Sequence, residues 1–259
     1  MTESCPYVQA DEALTVLRDL AAFKQAVDQV PDLDDQTPLH GHNLLSRACE
    51  IGDLQAAWFL LLCGADPNKG IALDLVVNDR CLPLLRLLLS YGADPNHREI
   101  VSPLFLASQA GQARAVRLLL QYGADPNRCH GHLDEMPPLM IALLNRHTHC
   151  LPHLLDAAAD SNIQWHGFPD LDAMPLVLEQ RTTLCCTVGP TATELIPCEN
   201  SCTPLMLAAA TGNTAAVGIL LAHGANPKIA DSFGLFPVDY LALSTCVHTR
   251  QTIAGLLGK

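Results

Sequence analysis

The chain has 259 residues, 49% hydrophobic, 16% charged and only 5% aromatic, with a formal net charge of −12. That is enough apolar surface for a packed core, and the Leu- and Ala-rich composition favours helices packed through small side chains over a β-sandwich. No Lys/Arg run exists to build the basic stripe that a nucleic-acid surface needs, so no nucleic acid is expected as partner. No uninterrupted apolar run approaches the roughly 20 residues that cross a bilayer, so no membrane is expected either. Met1–Ala10 carries neither a basic nor an apolar stretch of the kind that opens a signal peptide, and a cytoplasmic location with reduced thiols for the eleven Cys follows as the expectation.

A recurring pentapeptide is the ruler for the chain. It reads Gly64-Ala65-Asp66-Pro67-Asn68, Gly92-Ala93-Asp94-Pro95-Asn96 and Gly123-Ala124-Asp125-Pro126-Asn127, with weaker copies at Ala158-Ala159-Asp160-Ser161-Asn162 and Gly224-Ala225-Asn226-Pro227-Lys228. The steps are 28, 31, 35 and 66 residues, the last close to two periods of 33. Periods in this range mark stacked repeats. A helix-start marker lies 21 residues upstream of each copy, clear at Ser102-Pro103-Leu104 and Thr203-Pro204-Leu205, blurred at Asn43-Leu44-Leu45, Ile71-Ala72-Leu73 and Pro137-Pro138-Leu139. Ser or Thr accepts a bond from the orphan amides of a helix start, and Pro fits the first helical position. A Gly after Leu-Leu-Leu supplies the left-handed residue that ends a helix.

Residues 1–42 read as an N-terminal cap, a helix pair within residues 10–30 carrying Leu14, Leu17, Leu20, Phe23 and Val27, followed by an acidic finger. Thr37-Pro38-Leu39-His40 imitates a helix start, but the 21-residue offset from Gly64 lands on Asn43 instead. Residues 43–162 then hold four repeats, each a helix, a short turn and a second helix. In the third, Leu104, Ala107 and Ser108 face inward, Gly111 breaks the first helix, and Val116, Leu119 and Leu120 stripe the second. Cys49, Cys63 and Cys81 read as small buried hydrophobes in these repeats.

Residues 163–202 depart from the pattern. Met174-Pro175-Leu176 can start a helix, yet no Gly-Ala-Asp follows, and Cys186-Thr187-Val188-Gly189-Pro190-Thr191 interrupts any second helix. The spacing favours a degenerate repeat over an irregular insertion. A further repeat spans 203–235, with Leu205, Ala208, Ala209, Gly212, Val217 and Leu220-Leu221 in register. Residues 236–259, from Phe236-Pro237-Val238 to Leu256-Leu257, close the array as a C-terminal cap.

The Thr-Pro-Leu start, the Ala-Ala centre, the Gly turn, Leu-Leu and Gly-Ala-Asp together resemble the ankyrin repeat family. The resemblance covers almost the whole chain. It implies an all-α fold: an ankyrin-repeat solenoid of stacked helix pairs with projecting loops or β-hairpin fingers. It also implies a binding protein, not an enzyme, whose partners touch the finger tips and the concave face of the first helices. By register the concave positions are Glu50 and Ile51, Asn78 and Asp79, Gln109 and Ala110, Leu144 and Asn145, and Ala210 and Thr211.

The candidate partner-binding fingers are His97-Arg98-Glu99, the loop carrying His130, His132, Asp134 and Glu135, the loop at Phe233, and above all Trp165, His166, Phe168, Asp170 and Asp172. Trp165 and Phe168 are either exposed anchors for a partner or side chains tucked back under the irregular segment. Acid is concentrated in residues 1–42, eight acidic against two basic, and in 160–200, six against one. Two such patches steer a partner with a basic surface or simply confer solubility.

Catalytic motifs are absent: no nucleophile elbow, phosphate-binding Gly-rich loop or metalloprotease helix occurs. Cys185, Cys186, Cys198 and Cys202, or His147, His149, Cys150 and His153, lack the paired spacing of zinc sites. No catalytic residue, metal or cofactor is therefore expected. The function expected is recognition of a protein by a monomeric, preorganised surface. Three roles compete: inhibitor or immunity protein for a basic toxin or enzyme, secreted bacterial effector binding a host protein, and scaffold subunit of an enzyme complex.

Overall fold

The computed structural model describes residues 20–36, 42–97, 101–128, 136–165, 201–243 and 247–258. Among these every regular element is helical, with one isolated antiparallel bridge, Trp165 to Cys202. The chain forms two compact units: Met1–Ala107 with Gln121–Ala124, and Ser108–Leu120 with Asp125–Lys259.

In the first unit, α1 (Leu20–Val27) precedes the pairs α2 (Leu44–Ile51) with α3 (Leu54–Leu62) and α4 (Ala72–Leu75) with α5 (Leu82–Ser90). Helix α6 (Pro103–Gln109) begins in the first unit, and α7 (Ala113–Gln121) belongs, but for its last residue, to the second. In the second unit, α8 (Pro138–Leu144) pairs with α9 (Leu151–Asp156) through a 3-10 turn at Thr148–Cys150, and α10 (Pro204–Ala210) pairs with α11 (Thr214–Ala222). A 3-10 turn, Asp239–Leu243, and α12 (Val247–Leu257) close the chain.

The starts follow from side-chain chemistry. Asn43 caps α2 by accepting from the Ser46 amide at 2.9 Å, so the helix begins where the pentapeptide offset places it. Thr203 caps α10 in the same way and Pro204 occupies its first turn. The Thr37–His40 imitation lies outside the described residues, as do Leu14, Leu17 and Met174–Leu176.

Four letters of the pentapeptide, Gly, Ala, Asp and Asn, have a structural task. The Gly is left-handed, φ 97° at Gly64, and ends the second helix. The following Ala is buried, and its amide bonds back to a helix carbonyl, Ala65 to Leu60 at 3.1 Å and Ala225 to Leu220 at 2.9 Å. The Asp carboxylate accepts from the Asn amide two residues on, 2.9 Å at Asp66 and 2.8 Å at Asp160. The Asn then reaches into the next repeat. Asn68 donates to the Gly92 carbonyl at 3.1 Å and accepts from the Asp94 amide at 2.7 Å. Asn127 does the same at Ala158 and Asp160, 3.0 and 2.7 Å. In the N-terminal turn Asp34 substitutes for Asn, accepting from the Asp66 amide at 2.9 Å and pairing with Lys69 at 3.0 Å.

This ladder decides the status of residues 163–202. Asn162 donates to the Gly224 carbonyl at 3.2 Å and accepts from the Asn226 amide at 2.7 Å. Helix α8 packs on α10 and α9 on α11. The repeat ending at Asn162 is thus stacked directly on the one ending at Lys228, with no helix pair between them. Residues 166–200, where the spacing favours a degenerate repeat, lie outside the described residues. The chain leaves at Trp165 and returns at Cys202, joined by backbone bonds of 3.0 and 2.8 Å.

Two details differ from the sequence reading. Leu118, not Leu120, joins Val116 and Leu119 in the buried stripe of α7, and Cys63 is exposed because it follows the last turn of α3.

Ala158 stands where the other copies carry Gly and adopts φ 65°. A Cβ in the left-handed region costs roughly 1–2 kcal/mol, so Ala158→Gly is expected to stabilise the chain by about 1 kcal/mol despite the greater freedom it gives the unfolded state. Urea unfolding measures this.

Candidate functional site

The second unit holds a hydrogen-bonded turn with an exposed aromatic side chain at residues 231–235. It is built around Asp231, buried to 7% exposure. One carboxylate oxygen accepts from the amides of Phe233 at 2.9 Å and Leu235 at 2.8 Å, and the other accepts from the Tyr240 hydroxyl at 2.6 Å. Backbone bonds close the same turn, Asp231 amide to Leu235 carbonyl at 2.9 Å and Gly234 amide to Asp231 carbonyl at 3.0 Å. A buried carboxylate is tolerated because its lone pairs are occupied in this way. The product is a fixed turn that holds the Phe233 ring 59% exposed, with Phe236 and Val238 also exposed in the following segment.

The irregular segment is rooted on this turn. Gln164 donates to the Ala230 carbonyl at 3.3 Å, the Ser201 amide donates to Ser232 Oγ at 3.2 Å, and the two hydroxyls lie 3.1 Å apart. Trp165 itself is 8% exposed. It is packed inward at the root, and the reading of it as an exposed anchor is corrected: its backbone is paired with Cys202 and its ring is withdrawn from solvent. His166, Phe168, Asp170 and Asp172 lie outside the described residues, as do Arg98, Glu99, His130, His132, Asp134 and Glu135.

The concave positions divide. Glu50 is exposed and pairs with Arg47 at 2.7 Å. Asp79 and Gln109 are half-buried. Asn78 and Asn145 are half-buried and each hydrogen-bonds within the chain. Asn78 accepts from the Arg80 and Cys81 amides at 2.9 and 3.0 Å, and Asn145 donates to the Gln109 carbonyl at 2.9 Å. His97 is half-buried, with its Nε2 unpartnered.

The histidines of the α8–α9 turn are likewise structural. His147 Nε2 lies 3.1 Å from the Gln109 carbonyl and His149 Nε2 2.8 Å from the Gly111 carbonyl. The His147 ring rests against Gly111, where a Cβ would come within 2.6 Å of it. Cys150 is buried, and among the described residues no three His, Cys, Asp or Glu side chains converge as a metal site. Burial pushes the Cys202 thiol up to about 12, which keeps it protonated and a poor ligand or nucleophile. Cys185, Cys186 and Cys198 lie outside the described residues.

The Asp231 lock is easily missed in the sequence, because a lone Asp in a loop reads as a solvated charge. Asp231 followed two residues on by Phe233 and then Gly234 is a turn signal that could have found it.

The comparisons match this architecture. The family model for ankyrin repeats in three copies matches residues 73–165, and that for ankyrin repeats in many copies matches residues 192–241. No curated protein matches the sequence. Among solved structures, the human ASB11 ankyrin repeat domain is similar with a TM-score of 0.63 at 20% identity, covering 98% of this chain and 97% of that one. The ankyrin repeat domain of Bcl-3, a member of the IkappaB protein family, is similar with a TM-score of 0.69 at 19% identity, covering 95% and 98%.

Two predictions follow from the site. Asp231→Ala strands two amides and a hydroxyl and is expected to cost about 2–3 kcal/mol, whereas Tyr240→Phe costs about 1 kcal/mol, both by urea unfolding. Burial lowers the pKa of His147 below the usual 6.5. Its neutral ring therefore contributes stability that is complete above the unfolded value and is lost as pH falls from there through the folded one. For His223 the Ile219 carbonyl and then Asp156 raise the pKa, giving the opposite sign, stability complete below the unfolded value and lost as pH rises through the folded one. His147→Gln is expected to flatten the acid side of the profile of melting temperature against pH, and His223→Gln the neutral side.

Proposed function

We propose, from the premise that the chain belongs to the ankyrin repeat family, that it binds a folded protein through the finger end of its second unit, with Phe233 as the anchor. Ankyrin repeats are protein-interaction modules, and members of the family typically carry no enzymatic activity. The observation that carries the more specific reading is the Asp231 lock, which presents Phe233 to solvent in one conformation. A preorganised aromatic avoids the ordering cost that a loose loop meets on binding. Aromatic anchors of this kind concentrate interface energy.

The charge of residues 160–200 favours a basic partner. The segment rooted on the Phe233 turn carries Asp170 and Asp172 together with His166 and Phe168, and residues 160–200 hold six acidic and one basic side chain. Such a surface is complementary to a basic one, which raises the association rate and selects against acidic partners. An acidic, aromatic-tipped finger suits a basic cleft, and we assign the role of inhibitor or immunity protein for a basic toxin or enzyme. Delivery to a host protein and scaffolding are the outcomes that would leave the partner's own activity untouched.

A photo-crosslinking amino acid at position 233, with exposed Arg117 as the control position, captures the partner in the native cell. Calorimetry then compares the wild-type chain with Phe233→Ala. The expected result is a loss of at least about ten-fold in affinity, roughly 1.4 kcal/mol, with unchanged circular dichroism. Equal affinity removes Phe233 from the interface, and a partner whose activity survives saturation removes the inhibitory role.

A further inference from the structure

Helix α3 has an apolar side that its fold does not use. Its sequence, LQAAWFLLL, buries Ala56, Ala57, Leu60 and Leu61 against neighbouring helices. On the opposite side Leu54, Trp58 and Leu62 are 43%, 51% and 55% exposed. They stand at i, i+4 and i+8 and so form one continuous row along the helix. The pentapeptide register shows this to be particular to α3. Trp58 and Leu62 lie six and two residues before Gly64, and the same places before Gly92 hold Arg86 and Ser90, both exposed.

The row is held in place. The Trp58 indole N–H donates to the Tyr91 hydroxyl at 3.1 Å, joining the middle of α3 to the end of α5. Tyr91 is itself exposed, so this bond is made at the surface and orients the indole across the two helices. Arg86 has no carboxylate in ion-pair reach among the described residues, in a chain whose net charge is −12.

We infer that this face of α3 docks a single amphipathic α-helix of a partner protein, with its apolar stripe on the Leu54–Trp58–Leu62 row and an acidic flank toward Arg86. Three observations select that occupant. A row at four-residue spacing is the ridge that packs into the grooves of another helix. Three residues and the Tyr91 edge, each at most about half exposed, supply well under the ~800 Å² per side of a standard interface, which suits one helix better than a second copy of this chain. Exposed Arg86, at the place on α5 that Trp58 holds on α3, supplies the charge preference. This surface lies in the first unit and is independent of the Phe233 reading.

The chain has two Trp, so its indole N–H groups give two NMR signals, with Trp165 the internal control for Trp58. The probes are a synthetic helical peptide of Leu, Ala and Glu with Leu on one face, its counterpart with Lys for Glu, and a scrambled version with no apolar face. The expected result with the Glu peptide is a saturable shift of the Trp58 signal alone. Binding is expected to be about five-fold tighter than with the Lys peptide. Leu62→Glu abolishes the shift, and Arg86→Glu reverses the charge preference. No saturable shift, or an equal response to the scrambled peptide, overturns the proposal. So does a Trp58 signal that moves with the protein's own concentration, which would make a second copy the occupant. A Trp58 indole already shielded from iodide in the dilute full chain overturns it too, since the face would then be covered by the chain itself.

Discussion

The bond from one Asn side chain to the backbone of the next repeat is the constraint on which the rest of this structure depends. The helix pairs supply the apolar burial, but burial is non-directional and tolerates sliding. The amide of Asn68, Asn127 or Asn162 is directional at both ends: it needs a carbonyl and an amide at one spacing, and the next Gly-Ala-Asp turn provides both. Each bond is worth only about 1 kcal/mol net. Its larger consequence is register, because slipping a repeat would leave these groups without partners.

That constraint also shapes where binding can occur. Since Asn162 is bonded to the turn that ends at Lys228, the repeat before Trp165 stacks directly on the repeat after Cys202. Trp165 and Cys202 are tied to each other, and their neighbours Gln164 and Ser201 to the Phe233 turn. Trp165 serves as the footing of this arrangement, and Phe233 is the side chain it displays.

The sequence carried much of this. The pentapeptide, its Gly stops and the Asn43 start were legible because each is a local backbone requirement expressed by one residue type. The irregular segment was the least legible part for a physical reason: a gap of 66 residues is nearly two periods and Met174-Pro175-Leu176 offers a helix start, yet spacing does not encode that Asn162 bonds directly to the turn at Gly224 and Asn226. The internal bonds of Asn78 and Asn145 were not legible because a polar side chain at a helix end serves a cap and a partner equally well. The inward turn of Trp165 depends on a bridge to a residue 37 positions away, which no local pattern encodes. The exposed row on α3 was hidden by the opposite effect, since LQAAWFLLL is apolar on every side and reads as a buried helix.

Excision of residues 166–200, with Trp165 joined to Ser201 by a short Gly-Ser joint, tests the direct bonding of Asn162 to the turn at Gly224 and Asn226. The account predicts a shortened chain that keeps its helical circular dichroism and cooperative unfolding, with the Asn226 amide still protected from hydrogen exchange. A chain that loses helix from Pro138 onward, or an Asn226 amide that exchanges freely, would contradict it.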